Sequence, residues 1–234
     1  VDLAALFRYA ARLNFHEGVA NHFSCAVSPD GTQFLMNPRG RHFSQVCASE
    51  LLLLDANDPE TMKRPDAPDI SAWGIHAAIH QKIPQARCVL HVHSKYATVL
   101  ASLADSTLYP IELNTMRFFE RVAIDEGYDG LALDTDEGSR LARLMGEATI
   151  LLMANHGVLA VGNTPARAFD DLYYFERACE TLVTAYGTGK PLRIVSPEMA
   201  RRTAEEWNEF AYLADDHLRE IKQILDREEP DYRT

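Results

Sequence analysis

Val89-Leu90-His91-Val92-His93 reads as the end of a buried strand, and Ser94 then opens a helical pattern in Tyr96, Val99, Leu100 and Leu103. Histidines two apart on a strand share a face. Two imidazoles at a strand end supply half of a divalent-metal site. Ala154-Asn155-His156-Gly157 offers a third ligand between the apolar runs Ile150–Met153 and Val158–Val161. His91, His93 and His156 are therefore the candidate metal ligands.

Patterning sets the frame around this centre. Leu3, Leu6, Phe7, Ala10 and Leu13 stripe a first helix for which Asp2 is the expected cap. His22–Val27 and Gln33–Met36 read as a hairpin across Ser28-Pro29-Asp30-Gly31. Leu51–Leu54 reads as a short buried strand, and residues 56–69 as a polar, proline-rich loop. Ser71 is the expected cap of a helix running to about Lys82. Its His76 and His80 lie one turn apart but are read as a non-ligating pair, with no third histidine beside them. Residues 107–124 read as short strand-like pieces, with Gly127 and Gly130 marking a loop. A helix over Asp136–Met145 precedes a hairpin over Ile150–Val161. Thr164-Pro165 opens a helix with proline at its first position, and Ser196-Pro197 opens a last charged segment. Such irregular alternation predicts an α/β fold with a mixed sheet and helices on both faces.

The 234 residues are 47% hydrophobic and 24% charged, enough for a full core, with a net charge of −11. That sign argues against nucleic acid or an anionic membrane as partner. It leaves room for a small anionic substrate, because local pocket charge can oppose the global sign. No apolar run reaches the length of a membrane span and no signal peptide is read. Cys25, Cys47, Cys88 and Cys179 are widely spaced and read as reduced thiols of a cytoplasmic protein.

The ordered set Asn21-His22-Phe23-Ser24, Asn37-Pro38-Arg39-Gly40, Trp73 with His76, His91-Val92-His93 and Asn155-His156-Gly157 resembles the class II aldolase/adducin family over nearly the whole chain. The resemblance implies a three-layer α/β/α sandwich with a mixed central sheet. It also implies one such domain over residues 1–234, ending in a helical segment at about 196–234. Family members are commonly homotetramers with sites between subunits, and Trp207, Phe210, Tyr212 and Leu213 are the residues expected to cover a neighbouring subunit or the site's own mouth. The resemblance assigns a divalent ion to His91, His93 and His156, with Mn²⁺ favoured over Zn²⁺, Fe²⁺ or Co²⁺.

Two departures from the family shape the functional expectation. Ala72 stands where family aldolases carry a glutamate that serves as acid and base. Where those enzymes cradle phosphate with small polar groups, this chain has His22, Arg39 and Ser71-Ala72. Arginine grips a planar carboxylate with two parallel hydrogen bonds. Asn21, Arg39, Gly40 and Ser71 are therefore the expected substrate-binding residues, and His22 and His42 the expected proton-handling ones. Phe118, Phe119 and Tyr128 add aromatic bulk suited to a flat ring. The combination favours a decarboxylase of a hydroxylated aromatic or pyridine dicarboxylate, such as 3-hydroxy-2-methylpyridine-4,5-dicarboxylate. The alternatives are an aldolase with a relocated base, a non-haem iron oxygenase of aryl pyruvates, and a non-catalytic adducin-like module.

Overall fold

A computed structural model describes residues 1–58, 60–127 and 135–234. Helix α1 (Asp2–Arg12) is followed by strands β1 (His22–Ala26), β2 (Gln33–Met36) and β3 (Leu52–Asp55). Then come α2 (Ile70–Lys82), β4 (Cys88–Val92), α3 (Lys95–Ala101), α4 (Leu113–Arg117) and β5 (Val122–Asp125). Next are α5 (Thr135–Met145), β6 (Ile150–Met153), β7 (Gly157–Gly162), α6 (Pro165–Gly187), α7 (Pro197–Glu209) and α8 (Leu213–Glu228). The seven strands form one sheet in the order β3-β2-β1-β4-β7-β6-β5. Among the described residues only β5 and β6 pair in parallel, so the sheet is mixed as expected.

Alternation along each strand divides the core into layers. Phe23, Leu90, Val92, Ile150, Leu152, Val158 and Ala160 face helices α1, α3, α6 and α8. Val89, Leu151, Met153, Leu159 and Val161 face Ile75, Ile79 and Ile83 of α2 and Leu141, Ala142 and Met145 of α5. No helix among the described residues is long and apolar enough to cross a membrane.

Several local expectations change. Helix α1 begins at Asp2 itself, whose carboxylate receives the Lys222 ammonium at 2.7 Å. Asp69, not Ser71, caps α2, accepting from Ser71 N and Ala72 N. Strand β3 lies at the sheet edge and leaves Leu53 exposed, so it is not a buried strand. Residues 113–117 are helical because Glu112 accepts from Asn114 N and Thr115 N while Thr115 Oγ1 accepts from Glu112 N. That reciprocal cap is a local signal for helix entry that outweighs the strand-like composition. Buried Arg117 then ties α4 to Asp170 and Asp171 of α6 at 2.5 and 3.1 Å. Helix α3 is capped from a distance: Glu176 of α6 accepts from Tyr96 N, Ala97 N and Ser94 Oγ. The C-terminal segment is two helices, broken at residues 210–212. The expected contribution of Tyr128, with Gly130 of the same loop, lies outside the described residues.

Helices α2 and α5 cross at a contact with no room for a side chain. A Cβ on Gly138 would lie 2.1 Å from Gly74 O and 2.8 Å from its carbonyl carbon. Alanine normally stabilises a helix interior over glycine by about 1 kcal/mol. Here Gly138→Ala is expected to destabilise by ~1–3 kcal/mol through overpacking. The midpoint of urea unfolding measures the sign.

Candidate metal centre and ligand pocket

Three strand ends meet at one edge of the molecule. Strand β4 pairs antiparallel with both β1 and β7, so the end of β4 lies beside the starts of its neighbours. The register sets His22 opposite His91, and Val92 opposite Val158. The loop between β6 and β7 carries His156, with Asn155 in the left-handed conformation at φ 53°, which asparagine tolerates better than most residues. Gly157 permits the close approach: a Cβ there would meet Val92 O at 2.6 Å and the His93 ring at 2.8 Å.

One ring nitrogen each from His91, His93 and His156 falls within a common 4.8 Å. The hydrogen bonds of the other nitrogens decide what faces inward. His91 Nδ1–H donates to Val158 O at 3.1 Å, and His93 Nδ1–H donates to Glu17 Oε2 at 2.6 Å. In neutral rings both Nε2 atoms then carry lone pairs, and they stand only 3.1 Å apart. Two lone pairs so placed repel unless a cation or proton lies between them. A carboxylate and a backbone carbonyl behind ligand imidazoles are the usual orienting partners of a metal site. Burial lowers the His91 pKa well below the ordinary histidine value. Burial, helped by the charge of His93, lowers that of His156 to about 4. Neutral imidazole is the form that binds a metal, so the residues present fit a divalent ion.

Beside this cluster a small pocket is lined by Asn21, His22, Asn37, Arg39, Asp69 and Ala72, among others. Asn21 is buried; its Oδ1 accepts from Glu17 N at 2.6 Å, which orients the amide. Its Nδ2 is left without a partner. Arg39 is exposed at the rim. Burial raises the Asp69 pKa, but hydrogen bonds from Ser71 and Ala72 outweigh it and hold this carboxyl below its usual range. Asp69 thus stands ionised near the position that Ala72 leaves without an acid.

The remaining expected residues are placed differently. The Ser71 hydroxyl donates to Asp69 at 2.5 Å, so its hydrogen is used within the helix cap. Gly40 occupies a left-handed turn at φ 75°, and a Cβ there meets nothing within 4 Å. Both ring nitrogens of His42 are engaged, Nε2 by His16 and Nδ1 by Ser44. Its place is a pair with His16, separate from the three-histidine cluster. The reading of His76 and His80 as lacking a third histidine is corrected: His22 Nδ1 lies 2.7 Å from His76 Nε2. Glu17 lies at the site and escaped sequence reasoning, while Ser24, quoted in the Asn21–Ser24 motif, and Asp69, the nearest carboxylate before Ala72, were given no role. The spacing of His22 with Ser24 on a strand, and of His76 with His80 on a helix, was the available signal for two matching faces.

The profile of the Class II Aldolase and Adducin N-terminal domain matches residues 1–183. A protein named decarboxylase NovR, from Streptomyces niveus, is 29% identical over 90% of this chain and 80% of its own length. The 4-hydroxy-3-prenylphenylpyruvate oxygenase/4-hydroxy-3-prenylbenzoate synthase of Streptomyces roseochromogenus subsp. oscitans is 29% identical over 90% of this chain and 78% of its own. Among solved structures, an aldolase II superfamily protein from Pseudomonas syringae superposes with a TM-score of 0.87 at 29% identity, covering 100% of this chain and 94% of that one.

The carboxylate behind His93 provides a graded test of the centre. His91→Ala, His93→Ala and His156→Ala are expected to abolish Zn²⁺ binding, followed by calorimetry, while far-ultraviolet circular dichroism stays native. Glu17→Gln is expected to weaken binding by about 10–100-fold, the usual effect of losing an orienting partner. Unchanged affinity in all four variants would remove the ion from this site.

Proposed function

The chain belongs to the class II aldolase and adducin family, and on that footing we propose that it is a divalent-metal-dependent lyase. The proposed reaction removes one carboxyl group from a hydroxylated aromatic or pyridine dicarboxylate. The observation that carries this reading is the composition of the pocket. It holds a buried amide donor without a protein acceptor, an arginine at the rim and a neutral histidine, and Ala72 in place of an acid. A buried donor left unpaired costs ~1–3 kcal/mol, and a ligand oxygen at Asn21 Nδ2 recovers it.

Each residue has a task in this reading. His91, His93 and His156 hold the ion, with Mn²⁺ or Zn²⁺ the proposed occupants. When bound, the ion supplies a positive charge for the electrons released by the breaking carbon–carbon bond. Arg39 pairs with the carboxylate that stays, and Asn21 donates to an oxygen of the substrate. Burial lowers the His22 pKa to about 3, against the opposing charge of Asp69, so His22 enters as a neutral base. It accepts the ring hydroxyl proton and returns it to the carbon that loses CO₂. Aldol cleavage also needs a base and an acid. Ala72 leaves out the carboxyl that serves as both in family aldolases, and this favours decarboxylation, which needs one proton delivered after CO₂ has left.

The relatives' names support the decarboxylase reading and also a rival, since one of them is an oxygenase. For assembly we propose a homotetramer. Exposed Leu113, Phe210, Tyr212 and Leu213 beside half-buried Trp207 form the apolar surface suited to a subunit contact.

Anaerobic incubation of Zn²⁺- or Mn²⁺-loaded protein with such dicarboxylates, including 3-hydroxy-2-methylpyridine-4,5-dicarboxylate, is expected to release one CO₂ per substrate. Arg39→Lys keeps the charge but loses the planar fork; KM should rise about tenfold with kcat nearly unchanged. Strict dependence on Fe²⁺ and O₂ would replace this reading with the oxygenase one. An aldehyde product without CO₂ would replace it with the aldolase one.

A further inference from the structure

Behind the pocket runs a buried chain of polar groups that the proposed reaction does not by itself require. His22 and Ser24 project from β1 toward α2, and His76 and His80 project from α2 toward β1. All four are essentially excluded from water. His22 Nδ1 meets His76 Nε2 at 2.7 Å, His76 Nδ1 meets Ser24 Oγ at 2.5 Å, and Ser24 Oγ meets His80 Nε2 at 2.6 Å. The chain ends where His80 Nδ1 meets Ala86 O at 2.7 Å.

The proton positions follow from the closed end. A carbonyl oxygen only accepts, so His80 Nδ1 carries a hydrogen. Burial lowers the His80 pKa to about 4, so the ring is neutral and its Nε2 is a lone pair. Ser24 has one hydroxyl hydrogen, and this lone pair takes it. Ser24 Oγ must then accept from His76 Nδ1–H. Burial keeps His76 neutral as well, so its Nε2 is a lone pair that accepts from His22 Nδ1–H. Each step leaves no alternative that avoids two hydrogens or two lone pairs in one contact.

We infer that Ser24, His76 and His80 are positioning residues that lock His22 in its Nδ1–H tautomer and so present an unprotonated Nε2 at the ligand pocket. Free imidazole side chains favour the opposite tautomer, with the hydrogen on Nε2. A ring set that way could only donate to a substrate oxygen. The relay thus selects the accepting form of His22 from a carbonyl four groups away. The use of His22 as a base rests on the proposed decarboxylation; the tautomer does not.

Long-range ¹⁵N–¹H correlation spectra of the diamagnetic Zn²⁺-loaded protein read the tautomer without substrate. Assignment comes from the loss of single signals in His22→Gln, His76→Gln and His80→Gln. His22, His76 and His80 are each expected to show a pyrrole-like Nδ1 and a pyridine-like Nε2. In Ser24→Ala, His80 should keep this pattern while His22 shifts toward an Nε2–H mixture; Ser24→Thr, which restores the hydroxyl, should return it. A pyrrole-like Nε2 on His22 in the unaltered protein would overturn the inference, even if no variant folds. So would a His22 tautomer unmoved in folded Ser24→Ala. Absence of CO₂ release with a locked His22 would instead count against the reaction and leave the relay standing.

Discussion

Antiparallel pairing on both sides of β4 is the constraint on which the site depends. It brings the start of β1 and the start of β7 to the end of β4, where the sheet gives way to loops. Side chains at that edge can converge without being crowded by further strands. The period of two then assigns faces: Leu90 and Val92 pack under α6, while Val89 and His91 turn toward α2. A slip of one residue in the β1–β4 register would move His22 and Ser24 to the wrong face and separate them from His91 and His76. The same constraint makes glycine necessary at 157, where β7 passes too close to Val92 for any side chain.

Polar groups at this edge are buried at a cost, and the fold offsets it by giving nearly every one a partner. Burying a polar group without a hydrogen bond is expensive. Val158 O and Glu17 serve the triad, Ala86 O closes the histidine chain, and Glu176 serves the first turn of α3. Among the described residues at this edge, the facing Nε2 atoms of His91 and His93, Asn21 Nδ2 and His16 Nδ1 escape this pattern, and the first two bear on the pocket. In the proposed reading an ion satisfies the first and a substrate oxygen the second. On that proposal they are the two poles of the pocket, one for a cation and one for an anion.

Much of this was legible from local patterns. His91-Val92-His93 and the His156 hairpin declare themselves by period and by their flanking apolar runs, and the mixed sheet follows from the β1–β2 hairpin and the helix between β3 and β4. What stayed hidden depends on contacts between distant residues. Glu176 caps a helix some 80 residues before it, and nothing around Ser94 announces that partner. Glu17 reaches His93 across the β1 approach with no sequence spacing to announce it. Asp69 and Ser71 both resemble caps, and only the α2 geometry decides between them. His76 and His80 looked isolated because their partners His22 and Ser24 sit on β1, some 50 residues earlier. Residues 113–117 misled because a reciprocal Glu112–Thr115 cap outweighed a strand-like composition.

The central claim is that Nε2 of His91, Nε2 of His93 and one ring nitrogen of His156 hold one divalent ion at the end of β4. X-ray absorption at the zinc edge of the Zn²⁺-loaded protein tests it directly. The account predicts three nitrogen neighbours at about 2.0–2.1 Å with imidazole scattering behind them, and oxygen completing the shell. A first shell of oxygen alone, or one with sulfur from a cysteine, would contradict it.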